Sequence, residues 1–168
     1  MNNGILQASR NTLSKTSILL AKLSNEELCD NSIPPYNSSI GTHIRHILDF
    51  YQCIFIGMEN GVVDLTNRNR DLSVERDCDC ANDYLESILN TIEGFKVDLN
   101  KIILVRDDLG QGIVQINYTI GSLFAQANSH TIHHYAIINY ILDRLGISME
   151  DDDFGLNPTS PKKEMQNG

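Results

Sequence analysis

Basic residues are scarce in this 168-residue chain, which has 13 lysines and arginines against 22 aspartates and glutamates and a formal net charge of −9. A protein that binds nucleic acid places lysine and arginine along the phosphate backbone. We therefore expect no nucleic-acid partner. The sequence also lacks an uninterrupted apolar run of the roughly eighteen residues needed to cross a bilayer. It does not start with the basic region followed by an apolar segment that marks a secretion signal. We expect no membrane span, no secretion signal and a cytoplasmic location.

Several metal and phosphate motifs are absent as well. No Glu-x-x-His pair occurs, which excludes the ligands of a carboxylate-bridged di-iron bundle, and no His-Glu-x-x-His motif of a zinc protease is present. A glycine-rich phosphate loop is also missing. The four cysteines are Cys29, Cys53, Cys78 and Cys80. Without a secretion signal they are expected to be reduced thiols, and the lone pair Cys78 and Cys80 is interpreted as structural or incidental.

Apolar residues recur at helical spacing in four segments, and each segment predicts an amphipathic helix. The helices are predicted to begin near Ile5, Ser39, Asn82 and Thr119 and to end near Leu23, Gly61, Lys101 and Leu145. Ser39, Asn82 and Thr119 are residue types that cap helix starts, and Gly146 follows the last helix as a stop. Because each apolar stripe must be buried against another, the sequence predicts an all-α fold, a four-helix bundle.

Two connections in this predicted bundle are distinctive. Residues 64–80 are polar and of mixed charge, and predict a long loop or a lid between the second and third helices. Residues 102–105 and 113–118 are β-favouring runs separated by glycines, and predict a short β-hairpin before the fourth helix. Residues 1–158 are expected to form this single domain, and residues 159–168 a polar C-terminal tail.

Three of the five histidines lie within residues 129–135, Ser-His-Thr-Ile-His-His-Tyr, on the fourth predicted helix. His130 and His134 are one turn apart and project into the apolar stripe, whereas His133 lies at its edge. A buried imidazole must pair both ring nitrogens, and burial without partners costs on the order of a few kcal/mol. Separate hydrogen bonds can satisfy each ring, but one ion satisfies both at once. The pair therefore favours a metal site.

The second predicted helix carries the other two histidines, and either of them can supply a third ligand. His43 lies inside the apolar stripe of that helix, and His46 lies at its flank, where an open coordination position would face a cleft. Spacing alone favours His43, and geometry leaves both residues possible. Asp49, one turn beyond His46, either orients a ligand or accepts a proton, or is a solvated residue on the polar side of the helix.

Two segments resemble the DinB-like superfamily, a group of damage-inducible-type proteins related to bacterial thiol transferases. They are residues 39–51, Ser-Ile-Gly-Thr-His-Ile-Arg-His-Ile-Leu-Asp-Phe-Tyr, and residues 129–138, Ser-His-Thr-Ile-His-His-Tyr-Ala-Ile-Ile. The similarity extends over most of the chain. Residues 68–71, Arg-Asn-Arg-Asp, resemble a loop of one branch whose activity is not established, and residues 153–158, Asp-Phe-Gly-Leu-Asn-Pro, resemble its C-terminal motif.

The resemblance implies a four-helix bundle, often a homodimer, that holds a divalent metal with three histidines. The ligands of the family match His46, which opens the His-Ile-Leu-Asp stretch, and the pair His130 and His134. His43 is kept as a substitute or supporting ligand, and His133 matches a histidine outside the triad. Relatives usually have Arg-Gly-Gln after the histidine pair, where this chain has Tyr-Ala-Ile. No substrate contact is therefore carried over.

Three neutral nitrogen donors leave open positions on a divalent ion, where water or a thiolate can bind and act as a nucleophile. The ion is expected to be zinc or nickel, with manganese or iron as alternatives, since imidazole binds all four. The resulting hypothesis is a metal-dependent thiol transferase or hydrolase that acts on a small molecule, for example with a low-molecular-weight thiol. The alternative is a non-catalytic metal-binding or structural bundle that acts through dimerisation or a protein partner.

Overall fold

The computed structural model describes residues 4–161, which form six helices and a three-stranded mixed sheet. The helices are α1 (Gly4–Leu20), α2 (Asn25–Cys29), α3 (Ile40–Asn60), α4 (Leu72–Arg76), α5 (Cys78–Glu93) and α6 (Ile120–Leu145). The strands are β1 (Val62–Asp64), β2 (Ile102–Asp108) and β3 (Ile113–Thr119). Residues 162–168 of the predicted polar tail lie outside the described part of the chain.

The prediction of an all-α four-helix bundle is wrong, because a sheet and two short helices are integral to the fold. The four long helices do share one core, in which α1 and α3 each pack against both α5 and α6. The expected hairpin before the last helix is present as β2 and β3, but it belongs to a larger sheet. Strand β1 pairs in parallel with β2, so the sheet order is β1-β2-β3.

Strand β1 forms because the chain enters the sheet directly after the end of α3. The helix ends at Gly61, whose φ of +79° is a left-handed conformation that glycine adopts without strain. Val63 then pairs with Val105 of β2, and both side chains are almost fully buried. A Cβ atom on Gly57 would lie 2.4 Å from Cα of Val63, so only glycine allows this close approach of α3 and β1.

The long loop predicted for residues 64–80 is also shorter than expected. The Asp71 side chain accepts a hydrogen bond from the backbone N–H of Ser73 and begins α4. The Asp77 side chain accepts from the N–H of Cys80 and caps α5, which begins at Cys78, four residues before the predicted start near Asn82. These aspartates cap helices in a polar stretch without apolar periodicity, which explains why periodicity missed them. Likewise, α1 ends at Leu20, and a separate helix, α2, begins after the capping residue Ser24.

The two helices that carry the histidines begin and end where the sequence predicts. The Ser39 side chain accepts from the N–H of Thr42 at the start of α3, and the Thr119 side chain accepts from the N–H of Ser122 at the start of α6. Gly146 follows α6 with a φ of +72°. Within residues 4–161, every helix is too short or too polar to span a lipid bilayer.

Candidate metal site

Three histidines from two helices converge, with His46 from α3 and with His130 and His134 from α6. Nε2 of His130 lies 2.8 Å from Nε2 of His46 and 3.1 Å from Nε2 of His134. One ligand atom of each residue lies within 4.8 Å of the other two, and no other group of three or more such side chains is found in residues 4–161. The structure thus brings together the three predicted ligands, and the group can hold a metal ion.

Hydrogen bonding alone does not account for this cluster. A ring nitrogen of neutral imidazole carries either one hydrogen or one lone pair. Nε2 of His130 therefore cannot form two full hydrogen bonds, yet two ring nitrogens lie within 3.1 Å of it. Nitrogens that bind one ion at about 2.1 Å lie about 3.0 Å apart at right angles and about 3.4 Å apart in a tetrahedron. The observed spacings are close to these values, so the three residues fit a metal ion.

His130 and His134 do not lie at the centre of the buried face of α6, which is where the periodicity placed them. That centre is formed by Thr131 and Tyr135, each 1% exposed, and the two histidines are half-buried beside it. The Tyr135 hydroxyl donates to the backbone carbonyl of Thr12 in α1 at 2.9 Å. Because α6 packs against both α1 and α3, its buried face is wider than one apolar stripe. The histidines occupy the part of that face that meets α3.

All three rings are held in the neutral form. Burial, with a further contribution from the charge of Arg68, lowers the pKa of His46 to about 3. The same two causes lower the pKa of His130 to about 4. Burial and the neighbouring histidines lower the pKa of His134 to about 2. Neutral imidazole is the form that binds metal, so none of the three rings has to lose a positive charge before a cation binds near pH 7.

His43 lies behind His134 and is not a member of the cluster. Its Nδ1 is 2.8 Å from Nδ1 of His134, and its Nε2 is 2.8 Å from the hydroxyl of Ser38. If His134 offers its Nε2 lone pair to an ion, its Nδ1 carries hydrogen and donates to Nδ1 of His43. Nε2 of His43 then donates to Ser38, and every nitrogen has one partner. Spacing alone favoured His43 as the third ligand, but the structure groups His46 with His130 and gives His43 a supporting position.

Arg68 approaches the cluster from the segment between β1 and α4. Its Nη1 lies 2.6 Å from Nδ1 and 3.3 Å from Nε2 of His46, and its Nε donates to the carbonyl of Leu65 at 3.0 Å. Burial lowers the pKa of this half-buried guanidinium, and the charge of Asp107 opposes that effect from a distance. No carboxylate of the described residues lies within 4.0 Å of Arg68. The resemblance singled out residues 68–71 but assigned Arg68 no role.

Asp49 is buried, in contrast to the solvated alternative considered from the sequence. Its carboxylate accepts from Nη1 of Arg45 at 2.9 Å and from the Tyr84 hydroxyl at 3.1 Å. It also accepts from the backbone N–H of Arg70 at 3.2 Å. Asp49 therefore links α3 to α5 and to the segment that carries Arg68. The sequence suggested that Asp49 orients a ligand or accepts a proton. It did not reveal this hydrogen-bond network.

The remaining candidates lie apart from the cluster. His133 is exposed on α6, in agreement with its predicted position at the edge of the stripe. Burial raises the pKa of the Cys53 thiol to about 11, and the thiol donates to the carbonyl of Asn67 at 3.5 Å. All four cysteines are free thiols, and Cys78 donates to the carbonyl of Leu23 at 3.5 Å. None of the four belongs to the group that can hold a metal.

The fold and the site together define a helical domain with a small mixed sheet and a three-histidine cluster that can hold a metal ion. Comparison of the chain with protein-family models and with curated proteins gives no match. The resemblance to the DinB-like superfamily therefore stays a prediction that depends on the residues quoted for it.

Proposed function

We propose that this chain is a divalent-metal-binding protein of the DinB-like kind, with His46, His130 and His134 as its ligands. The observation that carries the proposal is the convergence of three neutral Nε2 atoms, two of them within 3.1 Å of Nε2 of His130. Zinc and nickel are the ions that we favour, with manganese and iron as alternatives, because imidazole binds all of them.

The chain's own residues prepare such a site in two ways. Burial keeps the three rings neutral, and the contacts of His43 with Ser38 and His134 orient one of them. The ligand residues are only partly buried, and we propose that one side of the cluster is open to solvent and small molecules. These features support a site that both holds an ion and leaves part of it open.

The reaction that we propose is transfer of a low-molecular-weight thiol to a small electrophile, or hydrolysis of a small molecule. A divalent ion held by three neutral nitrogens lowers the pKa of a bound water or thiol, so that a nucleophile is available near pH 7. The three-nitrogen donor set supports this chemistry because it leaves coordination positions free. The resemblance to thiol transferases supports the choice of a thiol as the first co-substrate to examine.

Metal analysis of protein purified without a histidine tag tests the binding proposal. We expect about one divalent ion per chain in the wild type, as for other three-histidine sites, and loss of that ion in His134→Ala. His133→Ala is the matched control, because His133 is an exposed histidine on the same helix. A wild-type protein without stoichiometric metal, or equal metal contents in the two variants, would contradict the proposal.

The reaction is tested separately with the metal-loaded protein. A panel of small thiols with electrophilic acceptors, together with simple ester and amide substrates, should give turnover by the wild type and by His133→Ala. His134→Ala should be inactive on the same panel. Inactivity of the metal-loaded wild type on every member would contradict the enzymatic part of the proposal and support a non-catalytic metal-binding protein.

A further inference from the structure

Arg68 brings a positive charge to a site whose histidines are neutral. Its guanidinium has no carboxylate within 4.0 Å among residues 4–161. Asp49, the buried acid on the adjoining helix, is already engaged by Arg45 at 2.9 Å. A guanidinium keeps its charge at physiological pH and usually pairs with an anion when it is partly buried. No carboxylate of residues 4–161 is therefore in contact with the guanidinium of Arg68, and the charge of Asp107 acts on it only from further away.

The position of Arg68 does not depend on a ligand. Its own Nε donates to the carbonyl of Leu65 at 3.0 Å. The chain is held to α3 at Asn67 and at Arg70, because the Cys53 thiol donates to the carbonyl of Asn67 at 3.5 Å and the N–H of Arg70 donates to Asp49 at 3.2 Å. A cation that is fixed in this way loses little conformational freedom when an anion binds.

The contact between Arg68 and His46 does not suit a metal-bound histidine. Nη1 of Arg68 donates to Nδ1 of His46 at 2.6 Å, which requires a lone pair on Nδ1 and a hydrogen on Nε2. When Nε2 of His46 offers its lone pair to an ion, Nδ1 carries the hydrogen, and two donors then face each other. Nη1 must find another acceptor, and it lies only 3.3 Å from Nε2, the atom that faces the cluster.

We propose that the open side of the metal site takes a small ligand that bears a carboxylate group, and that Arg68 recognises this group. The inference rests on the proposed function, because it concerns the metal-loaded site. A carboxylate has two oxygens, so it can contact a cation and a guanidinium at once, and the planar guanidinium matches its shape. The structure brings one guanidinium to the cluster, and its charge would add to that of a bound divalent ion in attracting an anion.

Binding of acetate and imidazole to the cobalt(II)-loaded protein tests this inference. The visible spectrum of cobalt(II) reports both ligands, one anionic and one neutral, without reference to any enzymatic activity. In Arg68→Gln we expect the dissociation constant of acetate to rise about tenfold or more, because the variant loses a hydrogen bond between two charged groups. The dissociation constant of imidazole should stay within about twofold, because a neutral ligand gains nothing from the guanidinium.

Two further variants separate recognition from general effects of charge and folding. Arg70→Gln removes a positive charge from an exposed side chain that lies two residues after Arg68. This variant should bind both ligands as the wild type does. Arg68→Lys keeps the charge but not the planar fork, and should bind acetate with intermediate affinity. Circular dichroism and cobalt content establish that each variant is folded and loaded.

Three results would overturn the inference. They are unchanged acetate affinity in Arg68→Gln, equal losses of acetate and imidazole affinity in that variant, and an acetate loss in Arg70→Gln as large as that in Arg68→Gln. A wild-type protein that binds no cobalt contradicts the proposed function and this inference together. If the wild type binds cobalt but Arg68→Gln binds acetate with the same affinity as the wild type, the result contradicts the inference alone.

Discussion

Replacing Asp49 with alanine removes a buried carboxylate that three parts of the fold share. The side chain is 0% exposed and accepts from Arg45 at 2.9 Å, from the Tyr84 hydroxyl at 3.1 Å and from the N–H of Arg70 at 3.2 Å. Removing one partner of a buried ion pair costs about 3 to 5 kcal/mol. Arg45 keeps a second partner, because its Nε lies 2.7 Å from Oε1 of Glu75. We therefore expect the lower value, a loss of about 3 kcal/mol in the free energy of unfolding.

Urea unfolding of the metal-free protein, followed by circular dichroism, measures this loss. A thermal scan should show a decrease in Tm of roughly 6 to 12 °C for a chain of this size. Tyr84→Phe removes one of the three hydrogen bonds and should cost about 1 kcal/mol. Asp83→Ala is the matched control, because it removes an exposed aspartate from the neighbouring helix, and should change stability by less than about 0.5 kcal/mol. If Asp49→Ala is as stable as Asp83→Ala, the network around Asp49 does not stabilise the fold as argued.

Two further predictions concern the histidines. His43→Ala leaves Nδ1 of His134 without its partner, so metal affinity, measured by competition with a chelating dye, should fall about 10- to 100-fold; unchanged affinity would exclude the supporting role of His43. Burial lowers the pKa of His46, His130 and His134 below that of the unfolded chain, so the unfolded chain takes up protons first as the pH falls below 6.5. The free energy of unfolding of the metal-free protein should therefore decrease from pH 7 to pH 5, by less than about 1.4 kcal/mol per pH unit for each ring. In His130→Ala this decrease should be smaller, because one of the three rings is gone. Equal pH dependence of the wild type and His130→Ala in urea unfolding would contradict this account.

The pair on α6 could be predicted because both histidines lie on one helix and adjacent turns bring them together. The third ligand was harder to predict from spacing, which favoured His43 over His46. Helix α3 is buried on almost all sides, and its buried residues include Arg45 and Asp49 as well as apolar side chains. An apolar stripe therefore does not mark the side of α3 that meets α6. The resemblance to the DinB-like superfamily pointed to His46, the residue that the structure groups with the pair.

The sheet and the approach of Arg68 could not be predicted from local patterns. Strand β1 has three residues and exists because Val63 pairs with Val105, which lies 42 positions further along the chain (105 − 63). The segment that carries Arg68 has no apolar period, and contacts with Asp49 and Cys53 on α3 determine its position. Such contacts connect residues that are distant in sequence, so neither propensity nor periodicity encodes them.

The most direct test of the central claim is X-ray absorption spectroscopy of the zinc-loaded protein at the zinc edge. The claim is that His46, His130 and His134 hold one divalent ion. It predicts scattering from three imidazole rings with nitrogens at about 2.0 to 2.1 Å, together with oxygen from solvent and no sulfur. A sulfur shell at about 2.3 Å would place the ion on cysteines instead, and a spectrum with fewer than three imidazoles would contradict the three-histidine site.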